Sequence, residues 1–254
     1  MDYLASKLAS QNYNDINYMV KNPGVRIQLN FKTLLVFLFF FFLMHELHEL
    51  AHIFTGRLIC GCWGTRDFNV WAVCSACENN KWAVAATFAG PLFTFAMLWL
   101  GHYLIKKGNP SLGLVFVLGN MQFGRIYMAA MGSGDEISGF RTLFLHPDHS
   151  NSLIIRLATL ALVTLICLPP MITAYRAITN NRRPVLFLIL IILPLILDTI
   201  VILILLNGLL GRGILNQTWI MGTPAFITLW LPLCLTIVIA NRGTLIKFGK
   251  AAAN

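Results

Sequence analysis

The stretch HELHELAH, at residues 45–52, holds three histidines and two glutamates within eight positions. Its last five residues match the HExxH pattern, which places His48 and His52 on one face of a helix, where both imidazoles can bind a single Zn²⁺. Glu49 lies beside His48 and can act as general base on a zinc-coordinated water, because zinc lowers the pKa of that water toward about 7. The spacing therefore predicts a zinc site with an activated water.

The residues around this stretch give the motif more weight than it has in a soluble protein. Residues 34–44 carry no charge, and the whole chain is 57% hydrophobic and only 11% charged, with a mean hydropathy of +0.71. Since a soluble domain carries about 25% charged residues, we expect a multi-pass integral membrane protein in contact with the lipid bilayer. A glutamate in mid-membrane costs on the order of 2–3 kcal/mol, so metal binding is favoured over histidines that merely hydrogen-bond in a packed core.

Two other residues of the stretch have open roles. His45 shares the helix face of the motif histidines and is an additional ligand, a residue that hydrogen-bonds a ligand, or a polar side chain facing the helix bundle. Glu46 needs a polar partner, and Arg125, within the third apolar segment, can pair with Glu46 or Asp135 or extend to a lipid headgroup.

Two histidines leave a catalytic zinc one protein ligand short. Asp135 is the best candidate, because it follows the third apolar segment on the side where the first segment also ends. Glu136 is its rival, and the alternative for both is a solvated acidic turn. Asp198, alone in the fifth segment, is a weaker candidate ligand, although an intramembrane acid suggests function. His146 and His149 form a further loop pair that could bind metal.

Six apolar segments position these side chains, and each is long enough for a helix that crosses the bilayer. They cover 33–59, 82–105, 111–130, 153–178, 184–206 and 218–240. We predict an all-α polytopic membrane protein of about six transmembrane helices, with a short hairpin-like loop between the first two. Residues 1–32 form a polar N-terminal segment, and 141–254 hold the last three spans and a C-terminal tail.

Three features resemble the site-2 protease family of intramembrane zinc proteases. They are HELAH at 48–52 near the end of an apolar helix, AGPL at 89–92 in the next one, and Gly-Asp at 134–135 after the third. The resemblance covers about 33–140 and implies a three-helix catalytic core there. Within AGPL, the proline should interrupt the helix, and Gly90 lets another helix approach closely, for example the first span beside the metal.

The resemblance implies Zn²⁺ as cofactor and a membrane-protein or peptide substrate, cut within or next to the bilayer. It also implies His48, His52 and Asp135 as zinc ligands, with Glu49 as catalytic base. The family commonly has an asparagine and a proline shortly before an Asp-Gly pair. Here Asn120 lies fifteen residues before Asp135 with no proline between them, so a substrate-binding role for Asn120 is a looser expectation.

Four cysteines lie between the first two spans with the spacing C-x-C-x11-C-x2-C. They could bind a structural zinc, form two disulfides in an oxidising compartment, or stay reduced within a β-hairpin. Alternating side chains over 68–74 favour the hairpin, and the family resemblance implies membrane-associated strands here that receive the substrate. The cysteines are Cys60, Cys62, Cys74 and Cys77.

Charge and family resemblance disagree about orientation. Twelve Lys and Arg residues fall on the side of the termini and six on the opposite side, which places the termini in the cytosol by the positive-inside rule. The family places its zinc nearer the cytosol, which would put the side opposite the termini in the cytosol. We favour this second orientation because the motif is tied to function. The net charge of +9 forms no basic stripe, so lipid headgroups are expected partners and nucleic acid is not.

Three functions fit these residues. An intramembrane zinc endopeptidase uses the whole HExxH motif. A non-proteolytic zinc-binding membrane protein or transporter needs the ligands but not Glu49. A membrane di-iron oxidase built on histidine boxes typically needs more than the six histidines present. The sequence gives no signal of oligomeric state.

Overall fold

The computed structural model describes residues 24–77, 79–144 and 152–251, which are mostly helical. The helices α1 to α10 are Phe31–Cys60, Val84–Lys106, Pro110–Leu118, Gln122–Met131, Asp135–Phe144, Ser152–Ala177, Arg183–Asp198, Asn207–Gly211, Ala225–Ala240 and Arg242–Ile246. The strands β1 to β6 are Val25–Ile27, Thr65–Arg66, Trp71–Ala72, Thr218–Ile220, Thr223–Pro224 and Gly249–Ala251. Short 3₁₀ helices cover Ser75–Cys77 and Lys81–Ala83, and a π-helix, Thr199–Leu206, joins α7 to α8.

Five helical segments in the described part are long and apolar enough to cross a membrane, which suggests a membrane protein and agrees with a polytopic helical fold. They are Phe31–Cys60, Lys81–Lys106, Pro110–Met131, Ser152–Ala177 and Arg183–Gly211. The sixth predicted span is represented by α9, which is apolar but only 16 residues long.

The helix α1 carries the motif and has well-defined ends. The Asn30 side chain accepts a hydrogen bond from the Thr33 amide at 2.8 Å, as an N-cap does. At the other end Gly61 has φ of +72°, and its amide donates to the Arg57 carbonyl, because only glycine adopts this left-handed C-terminal conformation without steric cost. The N-terminal half is rich in phenylalanine, and its rings pack against Phe116, Trp230 and Phe248.

Three predicted segments differ from the structure. The third is broken between α3 and α4, where Met121 adopts φ of 48° and the ring of Phe40 packs against Gly119. The sixth begins as strands β4 and β5, because Met221 and Gly222 both have positive φ, which a helix cannot contain. In the second segment the proline is expected to interrupt the helix, but α2 continues through Pro91 without interruption.

The connections sort to two ends of the bundle. Strands β1 and β6 pair antiparallel, Val25 bridges to Ile178 after α6, and the Gly249 amide donates to Ser111 at the start of α3 at 2.8 Å. We call this the β1–β6 end. At the other end, the loop of the β2–β3 hairpin packs against the start of α9, since the ring centroids of Phe68 and Phe226 are 5.4 Å apart. We call this the hairpin end.

Candidate metal centre

Three side chains from two elements converge near the hairpin end. His48 and His52 lie one turn apart on α1, and Asp135 begins α5. The two Nε2 atoms are 3.2 Å apart, and Asp135 Oδ2 lies 3.2 Å from His48 Nε2 and 3.7 Å from His52 Nε2. In the described part of the chain this is the group of histidines, cysteines and acids that could hold a metal ion. The three predicted ligands therefore come together.

The other nitrogen of each histidine ring is held by a partner on α2. His52 Nδ1 donates to the Ala86 carbonyl oxygen at 2.6 Å, and His48 Nδ1 lies 2.8 Å from the Thr94 hydroxyl. Because a carbonyl oxygen can only accept, the proton of a neutral His52 ring resides on Nδ1, and the Nε2 lone pair faces the cluster. The ring of Trp71, from β3, stacks on His52 at 4.6 Å.

This donor set fits a zinc ion. When the protons lie on Nδ1, as the Ala86 carbonyl requires for His52 and the Thr94 hydroxyl allows for His48, two imidazole lone pairs and a carboxylate oxygen face one another, an arrangement that a cation between them would stabilise. Zinc with four tetrahedral ligands at about 2.0–2.1 Å spaces its donors about 3.3 Å apart, close to the 3.2, 3.2 and 3.7 Å observed here. Metal identity rests on the donor chemistry alone.

Gly90 on α2 leaves room beside the two imidazoles. A Cβ at this position would lie 2.3 Å from His52 Nε2 and 2.7 Å from His48 Nε2. Any side chain would therefore fill the space onto which both ligand nitrogens open. The expected close approach of the first span at Gly90 is confirmed.

Asp135 is placed by Arg125 of α4. One guanidinium nitrogen donates to Asp135 Oδ2 at 2.9 Å, while the guanidinium also makes two bonds of 2.8 Å to Glu136. Burial alone would raise the pKa of Asp135, but the adjacent histidines and the charge of Arg125 hold that pKa well below its ordinary range. Glu136, the rival ligand, is occupied by Arg125 and lies outside the ligand group. Of its predicted partners, Arg125 therefore pairs with Asp135, whereas Glu46 accepts from Arg66.

Glu49 is buried next to the ligand group and differs from every other acid described. In the ranges 24–77, 79–144 and 152–251, five of six acids accept a hydrogen bond, and Glu49 accepts none. Its nearest cationic partner is His45 Nε2, at 3.9 Å from Glu49 Oε1. One carboxylate oxygen of Glu49 is thus free for a ligand or a water.

The other polar residues of α1 are engaged in pairs. His45 Nδ1 donates to the Asp198 carboxylate at 3.0 Å, so His45 lies outside the ligand group. Asp198 is the last residue of α7, and a π-helix follows it directly. Glu46 is fully buried and accepts a hydrogen bond from Arg66 of β2. Arg66 therefore fixes the hairpin onto α1.

The four loop cysteines form two disulfides, Cys60–Cys77 and Cys62–Cys74. The expectations of a structural zinc and of reduced thiols are both wrong for these residues, because each sulfur is already bonded to another. The first disulfide ties the end of α1 to the 3₁₀ turn before α2. The predicted hairpin is present but short, and its turn is closed by Asp67, which accepts from two backbone amides.

A cavity of about 310 Å³ adjoins the ligand group. Glu49, His45 and Asp198 line it, together with Asn120 in the break between α3 and α4. Asn120 is buried, and its side-chain amide nitrogen donates to the Phe116 carbonyl at 2.6 Å. The side-chain oxygen of Asn120 can therefore accept a hydrogen bond from another partner. His146 and His149 lie outside the described residues.

No protein-family model matches the chain, and no curated protein or solved structure is significantly similar to it. The resemblance to site-2 proteases therefore rests on the motif residues alone.

Sequence reasoning missed the residues that hold the ligands in place. Nothing in the sequence distinguishes Thr94 from other threonines in apolar helices, and Ala86 acts through its backbone carbonyl. Arg66 had a detectable signal, since the buried Glu46 required a cation and Arg66 is the second basic residue after the motif. Trp71 belongs to a predicted hairpin, but its stack on His52 depends on how that hairpin docks.

Proposed function

We propose that this protein is an intramembrane zinc metalloendopeptidase of the site-2 protease type, which hydrolyses peptide bonds of membrane-protein substrates in or beside the bilayer. The observation that carries the proposal is Glu49. The other buried acids near the ligand group accept hydrogen bonds from cationic partners, whereas Glu49 accepts none and its nearest cationic group, His45, is 3.9 Å away, at the position where the HExxH pattern requires a general base.

The proposed chemistry divides among four residues. His48, His52 and Asp135 would hold the metal, and zinc supplies Lewis-acid polarisation and an acidified water when bound. Glu49 takes a proton from the attacking water and returns it to the departing amine, so the proton balance closes within one residue. Thr94 and Ala86 keep both imidazole Nδ1 atoms occupied, which directs the Nε2 atoms to the metal.

The surroundings support a peptide substrate. The cavity beside Glu49 is lined by both polar and apolar side chains, as a binding site for a peptide would be. Within the described residues strand β3 pairs with β2 alone, so one edge of β3 is open, and the stacking of Trp71 on His52 places β3 next to the ligand group. An extended substrate segment can add to such an edge through main-chain hydrogen bonds.

The non-proteolytic zinc-binding alternative uses the same three ligands but gives no reason for a buried Glu49 that accepts no hydrogen bond. A di-iron oxidase needs a second ligand group, and in the described ranges one such group is found. These alternatives predict different metal contents and different effects of one substitution, so a single experiment separates them.

The test combines metal analysis with cleavage of a single-span substrate by the purified protein. We expect about one zinc per chain, as for a catalytic site. Glu49→Gln should retain that zinc and lower the cleavage rate by about 10²–10⁴-fold, the usual contribution of general acid–base catalysis. Asp135→Ala should lose zinc, whereas His102→Ala, on α2 and half-buried away from the site, should change neither property. Unchanged cleavage by Glu49→Gln, or iron in pairs, would refute the proposal.

A further inference from the structure

The hairpin end of the protein carries both disulfides. Cys60–Cys77 and Cys62–Cys74 lie between α1 and α2, and they enclose the hairpin that Arg66 attaches to α1. Disulfides form and persist in oxidising compartments, whereas cytosolic thiols are kept reduced by glutathione and thioredoxin. Two disulfides in one loop therefore indicate an extracytosolic hairpin end.

The distribution of basic residues gives the same answer independently. Among the described residues, ten Lys and Arg belong to the β1–β6 end and its connections, against six at the hairpin end, and a cytosolic side carries the excess. The excess of basic residues at the β1–β6 end is larger still when only accessible side chains are counted. Arg66, one of the six at the hairpin end, is buried against Glu46 and unavailable to lipid headgroups. The ten are Arg26, Lys32, Lys106, Lys107, Arg176, Arg182, Arg183, Arg242, Lys247 and Lys250.

The ligand group lies nearer to the hairpin end than to the β1–β6 end. His52 is eight residues before the end of α1 at Cys60, which is about 12 Å along the helix axis. From Phe31, at the start of α1, the distance to the same histidine is about 31 Å. Asp135 and the hairpin strand carrying Trp71 belong to the hairpin end as well. The compartment that this end faces is therefore the one from which the ligand group is reached.

We propose that the metal centre faces the extracytosolic, oxidising side of the membrane, opposite to the orientation that the family resemblance implies. Resting on the proposed protease function, this assigns the substrate class: membrane-protein segments whose scissile bond lies at the extracytosolic boundary of their span. The disulfide-bonded hairpin is then a receiving edge for chain entering from that side.

The experiment is accessibility labelling in intact cells that produce the full chain, with a matched pair of introduced cysteines. Asn216→Cys places a thiol in the exposed connection before β4 at the hairpin end, and Asn181→Cys places one in the exposed connection before α7 at the β1–β6 end. A membrane-impermeant maleimide should label Asn216→Cys in intact cells and Asn181→Cys only after permeabilisation. The reverse pattern would overturn the orientation.

A second measurement keeps the test independent of the introduced thiols. Protein collected after rapid thiol blocking and digested without reductant should yield the linked peptides Cys60–Cys77 and Cys62–Cys74 by mass spectrometry. Blocked free thiols at all four of these loop cysteines in the unchanged chain, in addition to Cys167 and Cys234, would overturn the proposal. Because neither readout uses catalysis, the Glu49→Gln variant should give the same labelling, so a wrong orientation and a wrong enzymatic function are told apart.

The substrate class is tested with two single-span reporters that carry the same cleavable segment at opposite membrane boundaries. The proposal requires fragments from the reporter with the segment on the extracytosolic side. Cleavage confined to the cytosolic boundary would refute this substrate assignment, and the labelling result would show whether the orientation fails with it.

Discussion

Substituting Gly90 by alanine tests the metal centre more directly than removing a ligand does, because it leaves all three ligands in the chain. Gly90 lies on α2 opposite His48 and His52 of α1. A Cβ there would be 2.3 Å from His52 Nε2 and 2.7 Å from both Cε1 and Nε2 of His48. The two Nε2 atoms are those that the proposed zinc needs, so the added methyl group competes with the metal for the same space.

The size of the effect follows from those distances. An ordinary contact begins at 3.4 Å, so the His52 nitrogen must move by about 1 Å, whereas zinc–ligand distances vary by only about 0.2 Å. Loss of one hydrogen-bonded partner of a ligand already lowers metal affinity about 10–100-fold. Displacing two of the three ligands should therefore weaken zinc binding at least about 100-fold, which corresponds to about 2.8 kcal/mol.

The assay is competition for zinc between the purified protein and a chromophoric chelator, with helix content followed by circular dichroism. Gly56→Ala is the matched control, because Gly56 lies one turn after His52 on α1 and a Cβ there meets only Val73 and Ala86 at 3.7 and 3.9 Å. That variant should bind zinc normally and gain about 0.5–1 kcal/mol of helix stability. A folded Gly90→Ala protein whose zinc affinity stays within about tenfold of the unchanged chain would show that the two histidines do not share a metal.

Two further substitutions test the supports of the site. Thr94→Val removes the hydrogen-bond partner of His48 Nδ1 at nearly constant volume, so zinc affinity measured by the same competition should fall about 10–100-fold, and an unchanged affinity would mean that Thr94 does not orient the ligand. Arg66→Ala leaves the buried Glu46 carboxylate without its cationic partner and should destabilise the fold by about 3–5 kcal/mol, measured as a lower thermal midpoint. The double variant Arg66→Met with Glu46→Gln should recover much of this lost stability. A single variant as stable as the unchanged protein would contradict the ion pair.

Much of the fold could be predicted from the sequence because apolar length is a strong signal in a membrane protein. The first segment, predicted as 33–59, is the helix Phe31–Cys60. Positive φ at Met121 and Met221 could not be predicted, since methionine seldom adopts that conformation and tertiary packing imposes it here. For the same reason the predicted sixth span starts late, at Ala225, after a β-hairpin.

The ligand set could be predicted because each member left a separate signal. The spacing of His48 and His52 defines one helix face, and Asp135 follows the segment that ends on the same side. Choosing Asp135 over Glu136 required the structure, because adjacent acids differ only in the direction of their side chains and Arg125 takes up Glu136. The state of the cysteines could not be predicted, since spacing alone does not distinguish thiolate ligands from disulfides.

The pairing of charges explains why one acid in this bundle is available for chemistry. In an apolar environment an unpaired carboxylate is costly, and the described part of the chain neutralises its buried acids with dedicated partners: Arg66 for Glu46 and Arg125 for Glu136. Glu49 is less well compensated, because it accepts no hydrogen bond and its nearest cationic group, His45, is 3.9 Å away. A zinc ion bound at the neighbouring ligands would add positive charge beside Glu49, so the proposed metal would also lower the cost of an ionised Glu49. Under the proposed function, stability and activity depend on the same ion, and removing zinc should loosen the region around α1 as well as abolish the proposed cleavage.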